Sequence, residues 1–383
     1  MKPCEKKRSC LWLVLFFGIF IGAFTVCDLL MPSKNFSEFE NRYLKQRPTL
    51  SWDGLMDNSY TQGYESFIND QFVLRNQWID LKSKAETILL KVENNGIVYG
   101  RDEMMFEKYQ TANEKQLQKN LGFLEEFAQG QEKLTFAIIP SAYEIYPENL
   151  PYGLGQVNQK GKIQELYERL DGKMQTIDLY PALTECKDDY IYYRTDHHWT
   201  TDGAYLAYAQ YCREKGLDPV NRNDLTRKEV EGFYGTYFNK SKKTSAQPDT
   251  LTYFEIPMES VVIDGTPING AEKDGYLDAA QFEGRDKYAA FLYGNNGLTV
   301  LKGADDQNHP DEKAARILLI KDSFSNCFAP FLTYHYDEVY VVDLRSFPKG
   351  MTELLESTEF DDILIMYNFM NLESDTNLYR LKY

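Results

Sequence analysis

The most constraining feature of the sequence is a regular alternation, near its end, between short apolar runs and amphipathic segments. Three apolar runs predict buried strands: Arg316–Ile320, Val339–Val342 and Ile363–Met366. The segments between them, Phe324–His335 and Thr352–Ser357, predict helices. Because parallel strands need a crossover connection, which is usually a helix, this order predicts an α/β fold built on a parallel sheet.

Earlier segments extend the same pattern and add elements of other kinds. Strands are predicted at Leu134–Pro140 and Met174–Leu179, and a helix is predicted at Thr200–Glu214, capped by Thr200, Thr201 or Asp202. The other predictions are helical segments over 58–93 and 112–128, a short hairpin over 94–106, and a β-rich insertion over 231–310. We expect this insertion to flank the functional site.

A long uncharged run close to the N-terminus predicts a membrane anchor. Residues 11–27 carry no charge, and Leu29–Met31 extend the run toward the roughly 20 residues that a spanning helix needs. The run is longer than the apolar core of a cleaved signal peptide, which is the weaker alternative. Cations precede it, so the positive-inside rule places the N-terminus in the cytoplasm and the remainder outside. These cations are Lys2, Lys6, Lys7 and Arg8.

The chain is therefore predicted to be a single-pass protein of the cell membrane with four parts. They are a cytoplasmic tail at 1–10, a transmembrane anchor at 11–31, a proline-punctuated stalk at 32–57 and the main folded domain at 58–383. We call residues 32–383 the ectodomain.

Charge and cysteine content exclude several classes of function. The formal net charge of −16 at pH 7 gives a surface that repels nucleic acid phosphates and anionic membranes, so neither is expected as a ligand. Beyond the anchor lie only Cys186, Cys212 and Cys327, and none has the spacing of metal ligands. Three separate buried thiols are the favoured interpretation, and a Cys186–Cys212 disulfide is the alternative.

Two of the four histidines are adjacent, in the segment YYRTDHHWTTDGA at 192–204. An aspartate two residues before a histidine, as Asp196 is before His198, can accept the imidazole Nδ1–H and support the imidazolium. The segment directly precedes a predicted helix, a position where functional residues concentrate. Asp-x-His is nevertheless a common tripeptide, and a histidine that caps a helix or fills a polar core site is the more frequent role.

A serine follows the strand in RILLIKDSFSNCF at 316–328. Ser323 lies where the carboxyl end of the strand meets a predicted helix, which is the crevice in which open α/β sheets bind ligands. The backbone N–H groups of Ser323, Phe324 and Ser325 would lie at a helix N-terminus, where a developing oxyanion is stabilised. The alternative is that Ser323 only caps the helix. The segment contains no GxSxG elbow, so the α/β-hydrolase fold is not indicated.

Together, TDHHWTTDGA at 195–204 and KDSFS at 321–325 resemble the DHHW family, whose relatives are the alginate O-acetylation proteins and, more widely, the SGNH hydrolases. Other segments are similar as well, among them EFENR at 38–42, NDQFVLR at 69–75 and VVDLRSF at 341–347. The resemblance implies an SGNH-hydrolase-like three-layer fold. Aspartate and histidine precede the serine in this chain, which is a circular rearrangement of the usual SGNH motif order.

The resemblance also implies a site and a reaction. It places a catalytic triad on Asp196, His198 and Ser323, and it implies O-acetyl transfer onto, or hydrolysis from, a secreted or cell-envelope polysaccharide. Acetyl groups would come from a multi-spanning membrane-bound O-acyltransferase partner. Lys321 stands where the broader GDS motif has glycine, and Gly235 and Asn368 are the candidate oxyanion donors beside the Ser323 N–H.

Two alternatives compete with this interpretation. His197 could join an Asp–His–His metal site, but no third histidine or cysteine has suitable spacing, so no metal or other cofactor is expected. A catalytically silent scaffold that holds polysaccharide for another transferase is the rival function, and the intact Asp-x-His and serine argue against it. Trp199 is expected to pack beneath the loop, and Asp322 is expected to brace the turn.

Overall fold

The computed structural model of the chain describes residues 3–37, 42–268, 275–304 and 314–383. It divides into two compact units: one runs to Lys91 and includes Lys242–Ser245, and the other comprises Val92–Ser241 and Ala246–Tyr383. The predicted start of the main domain at residue 58 differs from this division, because the helices of 58–91 belong to the first unit. Most of the EFENR segment, residues 38–41, lies outside the described residues.

The first unit is mainly helical. Its elements are α1 (Pro3–Leu30), β1 (Phe36–Ser37), β2 (Arg42–Tyr43), α2 (Trp52–Met56), α3 (Ser59–Gln71) and α4 (Arg75–Ile88). The helical prediction for 58–93 is confirmed, although Leu74 adopts the left-handed conformation and separates two helices. The predicted stalk contains the antiparallel β1–β2 pair and α2. In the described part of the chain, no helix has both the length and the apolarity needed to cross a membrane.

The second unit contains the remaining elements. Its strands are β3 (Glu93–Asn94), β4 (Ile97–Tyr99), β5 (Met105–Glu107), β6 (Leu134–Ile139), β7 (Gln175–Asp178), β8 (Arg227–Phe233), β9 (Asp249–Phe254), β10 (Met258–Ile263), β11 (Thr266–Pro267), β12 (Leu298–Gly303), β13 (Ala314–Lys321), β14 (Tyr336–Val342) and β15 (Asp362–Asn368). Its helices are α5 (Glu114–Ala128), α6 (Ala142–Ile145), α7 (Gln159–Leu170), α8 (Tyr180–Glu185), α9 (Thr201–Lys215), α10 (Thr236–Ser241), α11 (Met351–Ser357) and α12 (Phe369–Ser374).

An eight-stranded sheet in the order β11-β10-β12-β14-β13-β15-β6-β7 organises this unit. The strands from β14 to β7 are parallel, as predicted, and their apolar side chains fill the core because parallel strands are covered on both faces. The other edge, β12-β10-β11, is antiparallel, so the sheet is mixed and the expectation of a parallel sheet is corrected there.

The predicted β-rich insertion over 231–310 is therefore only partly separate from the sheet. Strands β10, β11 and β12 belong to the central sheet, whereas β8 and β9 form an antiparallel hairpin of their own. Sequence patterns miss this distinction because short alternating strands look the same whether they pair locally or extend a distant sheet edge. Residues 269–274 and 305–310 of the segment lie outside the described residues.

The segment after β13 is not the continuous helix predicted for Phe324–His335. It forms two 3-10 helices, Ser323–Asn326 and Ala329–Tyr334, and Pro330 lies at the start of the second. Proline has no N–H to donate and excludes a continuous α-helix through its position. By contrast, α9 forms as predicted, with Thr200 as its cap and its side chain accepting from the Gly203 N–H.

Candidate active site

The site is centred on Ser323, directly beyond the carboxyl end of β13. Ile320 pairs with Val342 of β14 and Lys321 pairs with Met366 of β15, so Ser323 lies between two parallel neighbours. Carboxyl ends of parallel strands form a crevice that binds ligands in open α/β sheets. The fold therefore places the serine where the sequence pattern predicted it.

The loop that carries Asp196 and His198 is held by a buried carboxylate. Asp249, on β9, accepts hydrogen bonds from the backbone N–H groups of Arg194 (3.1 Å) and Thr195 (2.8 Å) and from the Thr195 hydroxyl (2.5 Å). Charge-assisted bonds of this kind are strong when they are buried, so they fix the start of the loop. Sequence reasoning missed Asp249, because no spacing relates it to a loop more than fifty residues earlier.

Asp196, His198 and Ser323 lie in one hydrogen-bonded row. The Asp196 Oδ1 lies 2.6 Å from His198 Nδ1, and His198 Nε2 lies 2.9 Å from Ser323 Oγ. A carboxylate can only accept, so Nδ1 carries the ring proton and Nε2 is left to accept the Ser323 hydroxyl. All three residues are buried. The row has the connectivity of a nucleophile, a base and a group that orients the base.

The electrostatics of the row leave the imidazole neutral near pH 7. Burial is the main reason that the pKa of His198 falls to about 4; the adjacent His197 and, more weakly, Arg345 push it the same way, and Asp196 opposes them. Burial alone would raise the pKa of Asp196, but His197 and His198 hold it well below its ordinary value. An ionised carboxylate beside a neutral imidazole is the protonation state in which His198 can accept a proton.

Gly235 lies against Asp196 and is required there for steric reasons. A β-carbon at this glycine would lie 2.2 Å from the Asp196 Cβ and 2.3 Å from its Oδ2. The close approach allows the Thr236 N–H to donate to Asp196 Oδ2 at 2.6 Å. The Gly235 N–H itself donates to the Thr195 hydroxyl at 3.2 Å, which argues against its predicted role as an oxyanion donor.

Asn368, the other predicted oxyanion donor, is also engaged elsewhere. Its Nδ2 group donates to the Ile139 carbonyl (3.0 Å) and to Ser141 Oγ (3.3 Å), and its Oδ1 accepts from the Met370 N–H at the start of α12. An amide NH₂ has two hydrogens, and both are used here. The structure therefore argues that Asn368 joins β15, β6 and α12 and does not donate to an oxyanion.

The turn around Ser323 is braced by Asp322, as expected. The Asp322 carboxylate accepts from the backbone N–H groups of Phe324 (3.0 Å) and Asn368 (2.8 Å) and from Asn371 Nδ2 (2.7 Å). The Ser325 N–H donates to the Asp322 carbonyl. Of the three backbone donors predicted for an oxyanion, only the Ser323 N–H thus has no partner among the described residues.

Trp199 packs beneath the site, and the prediction of a packing role is confirmed. Its side chain is fully buried, and Nε1 donates to the Phe324 carbonyl at 2.8 Å. The Trp199 and Phe324 rings are also in contact, with centroids 6.1 Å apart. This tryptophan connects the loop of Asp196 and His198 to the turn of Ser323.

Lys321 occupies the position where the related GDS motif has glycine, and it is buried. Its Nζ lies 3.3 Å from Asp343 Oδ2 and 3.3 Å from Asn295 Oδ1, and burial lowers its pKa. Asp343 also accepts from Arg345 Nε (2.9 Å) and Nη2 (2.6 Å). The lysine is therefore part of a buried ion network at the ends of β13 and β14.

His197 lies beside the row but outside it. Its Nδ1 is 3.5 Å from Asp196 Oδ1, and its ring centroid is 3.8 Å from that of His198. Ligand atoms of Asp196, His197 and His198 lie within 4.8 Å of one another, which is the spacing of a metal site. However, hydrogen bonds already engage both oxygens of Asp196 and both nitrogens of His198, which argues against coordination.

Cysteines play no part in the row. Cys27, Cys186, Cys212 and Cys327 are free thiols, so the alternative of a Cys186–Cys212 disulfide is wrong. Cys212 and Cys327 are buried and Cys186 is partly exposed, which largely agrees with the favoured interpretation. Burial raises the pKa of Cys212 and of Cys327 to about 12, so both are inert thiols at neutral pH.

The fold and site together define a mixed α/β protein with a serine, a histidine and an aspartate in hydrogen-bonded series at the crevice of its parallel strands. The chain belongs to the DHHW family, whose model, described as "DHHW protein", matches residues 93–342. This match confirms the resemblance seen in the sequence motifs.

Curated relatives share part of the sequence. The probable alginate O-acetylase AlgJ of Pseudomonas fluorescens is 26% identical over 210 residues, and the chain spans about half of that relative's length, 51% of each protein. The probable alginate O-acetylase AlgJ of Pseudomonas putida is 23% identical over 354 residues, which cover 82% of this chain and 88% of the relative.

Solved structures share the fold. A DHHW family protein from Eubacterium siraeum is 22% identical with a TM-score of 0.61, and the match covers 76% of this chain and 96% of that one. PatB1 of Bacillus cereus is 20% identical with a TM-score of 0.61, covering 74% of this chain and 98% of PatB1.

Proposed function

We propose that the protein is an extracytoplasmic, serine-dependent O-acetyltransferase or acetylesterase that acts on a secreted or cell-envelope polysaccharide. The observation that carries this proposal is the buried row of Asp196, His198 and Ser323, with 2.6 Å and 2.9 Å between successive polar atoms. Nucleophile and base are within the reach expected of such pairs. The SGNH-like architecture implied by the motifs is part of the same proposal.

The proposed reaction begins with transfer of the Ser323 hydroxyl proton to His198 Nε2. The Ser323 oxygen attacks the acyl carbon of an ester, and the Ser323 N–H stabilises the oxyanion. When the bond to the leaving oxygen breaks, His198 returns its proton to that oxygen. A sugar hydroxyl or water then gives its proton to His198 and attacks the acyl-serine. The bond from the acyl carbon to Ser323 Oγ breaks, and His198 returns the proton to that oxygen, which restores the free serine. Exclusion of water from the acyl-enzyme decides between transfer and hydrolysis.

The substrate, partner and location proposed here rest on the relatives and on the sequence. The relatives are named as probable alginate O-acetylases, which supports acetyl transfer to a polysaccharide. A membrane-bound O-acyltransferase partner would supply acetyl groups from inside the cell, because acetyl-CoA is not found outside the membrane. The anchor at 11–31 would hold the ectodomain outside.

A fluorophosphonate probe tests the proposed nucleophile directly. We expect the full-length protein in detergent to be labelled at Ser323, because the neutral His198 activates its hydroxyl. Peptide mass spectrometry would locate the adduct. The control variant is Ser325→Ala, which removes the neighbouring buried hydroxyl and should leave labelling unchanged. A protein that remains unlabelled would be the silent scaffold.

Protease added to intact cells tests the location. The ectodomain should be degraded, whereas an epitope tag fused before Lys2 should survive until the cells are permeabilised. Immunoblots of the two ends of the chain provide the measurement. Protection of the C-terminal end in intact cells, with digestion after permeabilisation, would overturn the proposed orientation.

A further inference from the structure

Tyr288 touches both the base and the turn of the nucleophile. It lies in the 3-10 helix Lys287–Ala290, within the segment between β11 and β12, and it is buried. Its ring stacks on the His198 imidazole, with centroids 3.8 Å apart and planes inclined by only 9°. This contact covers one face of the imidazole and restricts how the ring can tilt.

The hydroxyl of the same side chain reaches the backbone beside the nucleophile. It donates to the Ser323 carbonyl at 3.0 Å and to the Phe324 carbonyl at 3.1 Å, so one proton is shared between two carbonyl acceptors. The Tyr288 hydroxyl also lies 3.4 Å from Cys327 Sγ, within hydrogen-bond distance of the thiol. Burial raises the pKa of the Tyr288 hydroxyl well above its ordinary value, which keeps the proton that it donates. A rigid aromatic side chain thus connects His198 to the turn that carries Ser323.

We propose that Tyr288 is a positioning residue, which fixes the His198 ring relative to Ser323 and stabilises the imidazolium that forms when the proton moves. The inference rests on the proposed function of Ser323 and His198. The face of an aromatic ring carries negative electrostatic potential, and it attracts a cation lying over it. The stacked imidazole becomes such a cation at the transition state.

Other groups around His198 contribute charge, and the effect of Tyr288 adds to theirs. Asp196 favours the imidazolium, whereas His197 and Arg345 oppose it. Tyr288 and Ser323 are further polar neighbours of the ring. Since Tyr288 carries no formal charge, its replacement tests the stacked ring without removing an ionised partner.

The variants Tyr288→Leu and Tyr288→Phe separate the ring from the hydroxyl. The matched control is Tyr276, another buried tyrosine of the same segment, whose hydroxyl donates to the Phe254 carbonyl and not to the turn of Ser323. Tyr276→Leu and Tyr276→Phe therefore reproduce the loss of packing and of one hydrogen bond. All variants would be made in the full-length protein and assayed with 4-nitrophenyl acetate.

We expect Tyr288→Leu to lower kcat/KM by about 10-fold or more and to shift the acidic limb of its pH profile down by about 0.5–1 pH unit. The direction follows because loss of the stacked ring disfavours the imidazolium and lowers the pKa of His198. Tyr288→Phe keeps the ring, so its limb should stay in place while kcat falls about 3-fold or more from the looser turn. Both Tyr276 variants should retain the wild-type kcat/KM, and the acidic limb of their pH profiles should lie at the wild-type pH.

A second measurement does not depend on turnover. In the Ser323→Ala background, NMR titration of the His198 ring should give a lower pKa when Tyr288 is leucine than when it is tyrosine or phenylalanine. If the wild-type protein neither hydrolyses the ester nor reacts with the fluorophosphonate probe, the proposed function is wrong. The NMR titration would still test whether Tyr288 raises the pKa of His198. Equal His198 pKa values, or kinetics that match those of the Tyr276 variants, would overturn the inference. If Tyr288→Leu does not fold, a Tyr288→Phe variant with the wild-type kcat overturns it.

Discussion

Replacing Ser323 by alanine is expected to lower kcat for 4-nitrophenyl acetate by about 10⁴-fold or more, because it removes the hydroxyl that lies 2.9 Å from His198 Nε2. His198→Ala should cost nearly as much, since Ser323 then has no proton acceptor. The double variant should be no slower than either single variant, because residues that act as a unit have losses that do not add. Steady-state rates of the full-length protein provide the comparison.

Two controls accompany this result. Ser325→Ala removes a buried hydroxyl two residues away and should leave kcat within a few-fold of wild type. A chelator should have no effect, because the proposed reaction passes through Ser323 and His198 alone. Activity that survives Ser323→Ala but is lost on chelation would instead make Asp196, His197 and His198 metal ligands.

Asp196→Asn should lower kcat by about 10³- to 10⁴-fold, which is less than the loss from Ser323→Ala. The carboxylate oxygens of Asp196 accept from His198 Nδ1 and from the Thr236 N–H, and an amide can present only one acceptor. Asparagine must therefore face one of these donors with its own NH₂ group. If that group faces His198, the ring takes the tautomer in which Nε2 carries the proton and cannot accept one from Ser323.

Steady-state kinetics test this expectation. Asp202→Asn is the matched control: it removes a carboxylate of α9 that pairs with Arg222 and Arg227, and it should change kcat only slightly. The wild-type kcat/KM should rise with pH around 4, where His198 loses its proton, with no step near 6.5. An Asp196→Asn enzyme as fast as wild type would show that the carboxylate does not orient the base.

The sequence predicted most elements of the parallel half of the fold. Continuous apolar runs identified β6, β13, β14 and β15, because strands covered on both faces need such runs. The antiparallel edge was not predicted, since the pairing of β10 with β12 depends on residues that are distant along the chain. The continuous helix predicted after Ser323 does not form, because Pro330 has no N–H to donate and interrupts it.

Within the site, the two motifs and the family resemblance that they carry were sufficient to predict that Asp196, His198 and Ser323 meet. An aspartate two residues from a histidine reaches it locally, and the carboxyl end of a parallel strand brings a serine to the crevice. The donors to the oxyanion were not predictable in the same way. The Gly235 N–H donates to the Thr195 hydroxyl, and the Asn368 side-chain NH₂ donates to the Ile139 carbonyl and to Ser141 Oγ. Neither group is therefore available to an oxyanion.

The sequence by itself determined the family, the parallel strands and the three side chains of the row, because each depends on local pattern or on a short motif. Only the tertiary structure decided how the row is held. Asp249 fixes the loop, the Gly235 backbone passes against Asp196, and Tyr288 stacks on His198. The physical reason is that these contacts join residues that are 39 (Asp196 and Gly235) to 90 (His198 and Tyr288) positions apart in the chain. The chain has 28 tyrosines and 24 glycines, and the residues next to each one in the sequence do not indicate which distant residue it contacts in the folded protein.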